Sequence, residues 1–333
     1  MYKPLPIKLV ERYTEWASRP VLMIGLFVAV PSLLFYIATG AIYPDDVQPW
    51  VEDPLAMTGL FLMLSFLPAY IAMCFVVTTR LNRRTHQELK SLLPADVDID
   101  ALAYRWGRGW IYALALALIY GYGFNIGWFS LSFEPSDARF GVSISIVVGQ
   151  TLLWFTSGII LFFSIHEVIV LHRLGKVVRI DLYNIDSLNG FGRASLNGFL
   201  IIMGALALTF LQSINQTFVL EGYVNGFLVI FPAILVMVPT PVWSVHRRIQ
   251  LAKQTLVREI DDKIAGASKS LEGDNLHQLN ALMQRREQIY RMRNWPMDIS
   301  ISARFLMYVF IVPAAWAGAA LMEVFLESVL GIQ

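Results

Sequence analysis

The stretch GVSISIVVGQTLLWFTSGIILFFSIHEVIV, residues 141–170, carries a single formal charge, Glu167. As a helix of thirty residues it would run about 45 Å, longer than the roughly 30 Å hydrocarbon core of a bilayer. Its apolar residues are continuous and do not alternate, which argues against a barrel strand. Six further runs share this character, at about 21–43, 57–79, 109–132, 194–219, 223–245 and 301–326. The reading is therefore all-α: a polytopic bundle of seven transmembrane helices.

Composition agrees. The 333 residues are 56% hydrophobic and 15% charged, against about 25% charged in ordinary soluble domains. A net charge of +1 gives no bulk basicity for nucleic acid. The single cysteine, Cys74, lies inside an apolar run, so it can form no intrachain disulfide, and one thiol makes neither a zinc site nor a cluster. Cys74 reads as a small packing residue. About twenty mostly polar residues precede the first run, which is too long for a cleavable signal core and reads as a signal anchor.

Loop charge orients the spans. Lys3, Lys8, Arg12 and Arg19 precede the first run, and the first loop holds Asp45, Asp46, Glu52 and Asp53 with no Lys or Arg. The second loop carries Arg80, Arg83, Arg84, Lys90, Arg105 and Arg108; the third has Arg139 beside Glu134 and Asp137. Arg173, Lys176, Arg179 and Arg193 fill the fourth, the fifth is short around Glu221, and the sixth opens on Arg247 and Arg248. Basic and non-basic loops alternate, which places the N-terminus in the cytoplasm and the C-terminus outside. Trp106, Trp110, Trp128, Trp243 and Trp295 fall where interfacial anchors belong.

The chain then divides into a cytoplasmic segment 1–20, a six-helix membrane region 21–245, a cytoplasmic helical hairpin 246–300, and a seventh span with an external C-terminus 301–333. In the hairpin, Ile249, Ala252, Leu256, Ile260, Ile264, Ala267 and Leu271 recur at three and four. Glu272-Gly273-Asp274-Asn275 is the turn, Leu276, Leu279, Met283, Ile289 and Tyr290 line the second arm, and Trp295-Pro296 ends it. Glu259 and Lys263 are spaced as a helix pair. The second loop is expected to hold a short amphipathic helix before Pro94. The fourth, from Lys176 to Asp186, alternates like an interfacial segment or a short strand.

Three blocks carry a resemblance. Leu171-His172-Arg173-Leu174 with Arg179-Ile180-Asp181-Leu182, Leu188 and Phe191 is the first. Pro241 through His246-Arg247-Arg248-Ile249 with Lys253 is the second. Trp295-Pro296-Met297-Asp298 with Arg304-Phe305-Leu306, Pro313, Trp316 and Gly318-Ala319-Ala320-Leu321 is the third. In this order, over about 170–325, they resemble a widespread, functionally uncharacterised group of prokaryotic polytopic membrane proteins, and the resemblance implies no activity. The seven-helix plan with a cytoplasmic insert is also similar, in architecture alone, to insect chemoreceptor channels.

Two polar groups are candidate sites. Asn125, Gln212, Asn215, Glu323 and Glu327 fall in the outer thirds of their spans and would line an outward vestibule, with Glu323 and Glu327 on one helix face. His166, Glu167, His172 and His246 lie near the inner face, with Glu167 expected to pair with Arg247 or Arg248. His166 and His172 are six apart and face differently, so no metal site is expected, nor any cofactor. Enzyme motifs are absent, and no enzymatic activity is expected. Prolines 31, 68, 232 and 313 would kink spans, and small residues at Gly121, Gly123, Gly127, Ala314, Ala315, Gly318 and Ala319 would allow close helix contact. The leading expectation is an oligomeric, channel-like pore in the lipid bilayer, a homo-oligomer assembled through the hairpin and the seventh span. The alternative is a non-conducting sensor or scaffold whose hairpin binds a partner.

Overall fold

The structure is a computed structural model that describes residues 3–42, 54–103, 108–125, 131–137, 139–213, 234–267, 273–296 and 299–311, with 228, 232, 314 and 318. Every regular element among them is helical. The α-helices are α1 (Leu5–Trp16), α2 (Pro20–Ala38), α3 (Pro54–Lys90), α4 (Ile99–Ala103), α5 (Gly109–Tyr120), α6 (Phe140–Val177), α7 (Asn189–Thr209), α8 (Pro239–Ala267), α9 (Gly273–Arg291) and α10 (Ile299–Val309).

Four helical segments are long and apolar enough to cross a membrane: Pro20–Ala38, Met57–Lys90, Phe140–Val177 and Ile185–Gln212. They coincide with the first, second, fourth and fifth runs of the sequence. The third run is present as α5 followed by a π-helical turn, Gly121–Asn125. The sixth run is described at 228, 232 and 234–245, and the seventh at 301–311, 314 and 318, with α10 beginning the seventh.

Helix α3 is the hub, packing on α2, α6 and α7; α6 also packs on α5 and α8, and α7 on α8 and α10. One buried cluster, including Tyr36, Phe61, Leu64, Val142 and Ile146, joins α2, α3 and α6. Polar ties cross the bundle: Tyr70 Oη donates to Leu200 O at 2.9 Å, and Asn197 Nδ2 to Thr78 Oγ1 at 2.9 Å. The outer surface of α2 is apolar, with Phe27 75% and Leu34 61% exposed. A stripe of that kind is compatible with a hydrocarbon environment.

Close approach needs glycine at Gly149. A Cβ there would lie 2.6 Å from Tyr36 Oη and 2.8 Å from Leu64 Cδ1, at the junction of three helices. Gly149→Val is expected to overpack this junction and cost about 1–3 kcal/mol, read as a lower unfolding midpoint in detergent. Gly121 meets the Trp154 ring in the same way, whereas a Cβ at Gly123 or Gly318 would meet no described atom within 4 Å.

The basic ends depart from the sequence reading in three places. Helix α3 runs unbroken through the charged residues to Lys90, so no separate amphipathic helix precedes Pro94. The Lys176–Asp186 stretch is not a strand. Val178, Leu182, Ile185 and Leu188 are buried against Leu89, Leu93, Leu171 and Phe191, and Arg179 N donates to Leu92 O at 2.9 Å. The alternation marks a segment threaded into a protein core.

The third departure is the hairpin's register. Helices α8 and α9 do pack on each other, through Val257, Ile260 and Ile289 with Leu256, Ile264, Leu282 and Met292. Arg286 Nε bridges the arms to Asp261 Oδ1 at 3.0 Å. Met283 and Tyr290, expected inside, are 49% and 62% exposed, because Leu282, Ile289 and Met292 take the inner face one residue away. Glu259 and Lys263 are both exposed and form no ion pair. The Glu272 end of the turn lies outside the described residues.

Candidate functional site

At its basic end α3 presents Thr79, Asn82, Arg83, His86, Gln87 and Lys90, spaced by three, one, three, one and three residues. That spacing is one face of a helix. Opposite it, α6 supplies Phe163, Ser164, His166 and Glu167. Helix α1 crosses the opening with Lys3 just before it and Ile7 and Glu11 on one face, while Asp98 and Ile99 close another side. Together they enclose a polar cavity of about 410 Å³, within the size range of small-molecule sites.

His86 and Glu167 span the cavity wall: His86 Nε2 donates to Glu167 Oε1 at 2.8 Å, with the side chains 16% and 13% exposed. Glu167 therefore does not pair with Arg247 or Arg248. Those residues sit on α8, and Arg248 donates to Val178 O at 3.4 Å. Lys3 Nζ holds Glu11 at 2.8 Å, and Asp98 Oδ1 accepts from Ala101 N at 3.1 Å as the start cap of α4. Arg83 and Lys90 line the cavity with no carboxylate within ion-pair distance among the described residues. Ser164 is 5% exposed, and its hydroxyl has no hydrogen-bond partner. The His86–Glu167 pair is expected to show a coupling of about 0.5–3 kcal/mol in a double-mutant cycle with His86→Ala and Glu167→Ala, measured from unfolding midpoints.

The four inner-face residues named from sequence separate into two sites. His166 and Glu167 line the cavity. His172, on α6, and His246, on α8, lie where those two helices meet. His172 Nδ1 donates to Thr240 O at 3.3 Å, and His246 Nδ1 donates to Asn294 O at 2.7 Å while stacking on Trp295 at 4.0 Å and 18°. Beside them Lys253, only 8% exposed, donates to Met292 O and to Asn294 Oδ1 at 2.7 Å. The first two sequence blocks share one buried cluster, through Leu171, Leu174, Phe191, Val245 and Ile249, and His246 and Lys253 fasten the third block to it through Asn294 and Trp295. Among the described residues no group of three His, Cys, Asp or Glu side chains is placed to hold a metal ion.

Of the vestibule candidates, Gln212 is half-buried in the 3₁₀ turn that ends α7. Asn125 closes the π turn after α5, with its side chain outside the described residues. Asn215, Glu323 and Glu327 also lie outside them. Sequence reasoning missed His86 and the α3 stripe. The signal is the three-and-four spacing from Thr79 to Lys90, but the charge of those residues reads as a loop beyond the span.

No protein-family model, curated protein or solved structure matches the chain.

Proposed function

We propose that the chain is a seven-helix integral membrane protein, N-terminus cytoplasmic and C-terminus external, that acts without enzymatic chemistry as a ligand-responsive scaffold. The polar cavity at the inner ends of α3 and α6 receives the ligand, and the α8–α9 hairpin carries the response to a partner. The observation that carries this reading is the buried cluster linking α6, α7 and α8 with the inner end of α3. A cavity walled by α3 and α6 and a hairpin rooted in α8 share that cluster, so a shift at one must be felt by the other.

The hairpin supports a partner surface as well. Leu251, Met283 and Tyr290 are 50%, 49% and 62% exposed, and we assign them to contact with a second copy of this chain. Light scattering in mild detergent is expected to give a dimer or larger, and Met283→Asp with Tyr290→Asp to give a monomer.

The scaffold reading and the pore reading separate by flux. Reconstituted into liposomes, the protein is expected to pass cations no faster than empty vesicles. Cation flux that falls in Glu323→Gln would overturn the scaffold reading in favour of a pore with an outer acidic mouth.

A further inference from the structure

A second cavity lies on the other side of His166. It is an apolar groove of about 480 Å³ between α5 and α6, lined by Leu116, Ala117 and Tyr120 on one side and Trp154, Leu161 and Phe162 on the other. Gly158 lets α5 close its floor, since a Cβ there would lie 2.7 Å from Ala117 Cβ. From Trp154 to Ile169 the groove follows about 22 Å of helix at about 1.5 Å per residue, more than the roughly 15 Å of one hydrocarbon leaflet. Ile111, Leu116 and Ile119 are exposed alongside it, so the groove faces hydrocarbon in a bilayer.

His166 lines both cavities. On α6, Ser164 and Glu167 turn to the polar side, Leu161, Ile165 and Ile169 to the apolar side, and His166 is the ridge between them. The polar side has its carboxylates engaged: Glu11 by Lys3, Glu167 by His86, and Asp98 by the start of α4. The guanidinium of Arg83 and the ammonium of Lys90 remain to act on a ligand, above a buried Ser164 hydroxyl that lacks any partner. A cationic, hydroxyl-bearing cavity at the polar end of a leaflet-length apolar groove matches one class of molecule.

We propose that cavity and groove together hold one anionic amphiphile, its phosphate among Arg83, Lys90 and Ser164 and its acyl chain along α5 and α6. Arg83 supplies a fork of donors and Lys90 a point charge, the usual pairing for a phosphate oxygen set. Ser164 would donate its hydroxyl to a phosphate oxygen. A soluble anion would use the cavity and ignore the groove, and a neutral lipid would do the reverse. The inference deepens the reading above by naming the ligand class of that same site.

The test uses the full chain in detergent and native mass spectrometry with three probes: phosphatidylglycerol, phosphatidylcholine and glycerol phosphate. One phosphatidylglycerol is expected to bind, about tenfold or more tighter than phosphatidylcholine, and the preference to vanish in Arg83→Gln with Lys90→Gln. Ser157→Phe, which fills the groove, is expected to weaken lipid binding about tenfold and leave any glycerol phosphate binding unchanged. Arg83→Lys with Lys90→Arg is expected to keep the preference, which guards against a fold defect, and Arg258→Gln to change nothing. Equal binding of the two lipids, or lipid binding untouched by both variant sets, overturns the proposal. Glycerol phosphate binding as tightly as the whole lipid also overturns it, and marks a soluble-anion site. Flux and oligomer size on the same preparations report on the scaffold reading independently, so the two can fail separately.

Discussion

Phe191→Ala is expected to lower stability by about 3–5 kcal/mol, the range for emptying a buried aromatic site. Phe191 is fully buried at the start of α7, in the cluster formed by Leu171, Leu174, Leu188, Val245 and Ile249. Its ring fills the point where α6, α7 and α8 converge, so little can collapse into the void. A denaturant titration in detergent should show the loss, and protease should then cut between α8 and α9 at lower enzyme concentration. Phe27→Ala is the control. Phe27 is 75% exposed on α2, and its removal is expected to change the midpoint by no more than about 0.5 kcal/mol. Equal effects at the two positions would mean that the buried cluster is not what roots the hairpin.

That contrast marks what could be read from the sequence and what could not. Hydrophobic length alone located α2, α3, α6 and α7, because a span must be apolar along its whole course whatever it packs against. Length says nothing about where a helix stops once it leaves hydrocarbon. Arg83, His86 and Lys90 therefore read as loop, although α3 continues through them for more than two turns past Thr79. The same blindness leaves Val178 and Leu182 open between a short strand and an interfacial segment. A period-two pattern reports two unlike surroundings, and here the apolar one is the protein's own core.

Pairing was the least legible feature. Glu167 could be seen to need a partner, since a carboxylate near the hydrocarbon edge is costly. Nothing local pointed to His86, which is 81 residues away and reaches it only because α3 packs on α6. In the hairpin, the stripe on α8 was legible because the apolar residues from Ile249 to Ile264 held one phase. On α9 the neighbouring pairs Leu282-Met283 and Ile289-Tyr290 left two phases open, and packing against Val257 and Ile260 selects the first residue of each pair.

Lys253 gives the second large effect, and its sign follows from burial. The ammonium is 8% exposed and meets Met292 O and Asn294 Oδ1, with no carboxylate within ion-pair distance among the described residues. Burial holds its pKa below the ordinary lysine value. The unfolded chain, titrating near about 10.4, then binds the proton more tightly than the folded one. Between the two values the unfolded state carries more protons, so stability rises with pH across that alkaline window and is flat below it. Lys253→Met is expected to abolish the rise. At neutral pH it should also cost about 1–3 kcal/mol, because Met292 O and Asn294 Oδ1 lose their donor. Lys253→Arg removes the rise by a different route, since a guanidinium does not titrate in this range. Unfolding midpoints of the three proteins from pH 7 to pH 10 decide the matter. A wild-type slope that survives in Lys253→Met would assign the alkaline titration to another group and leave Lys253 as a hydrogen-bond donor alone.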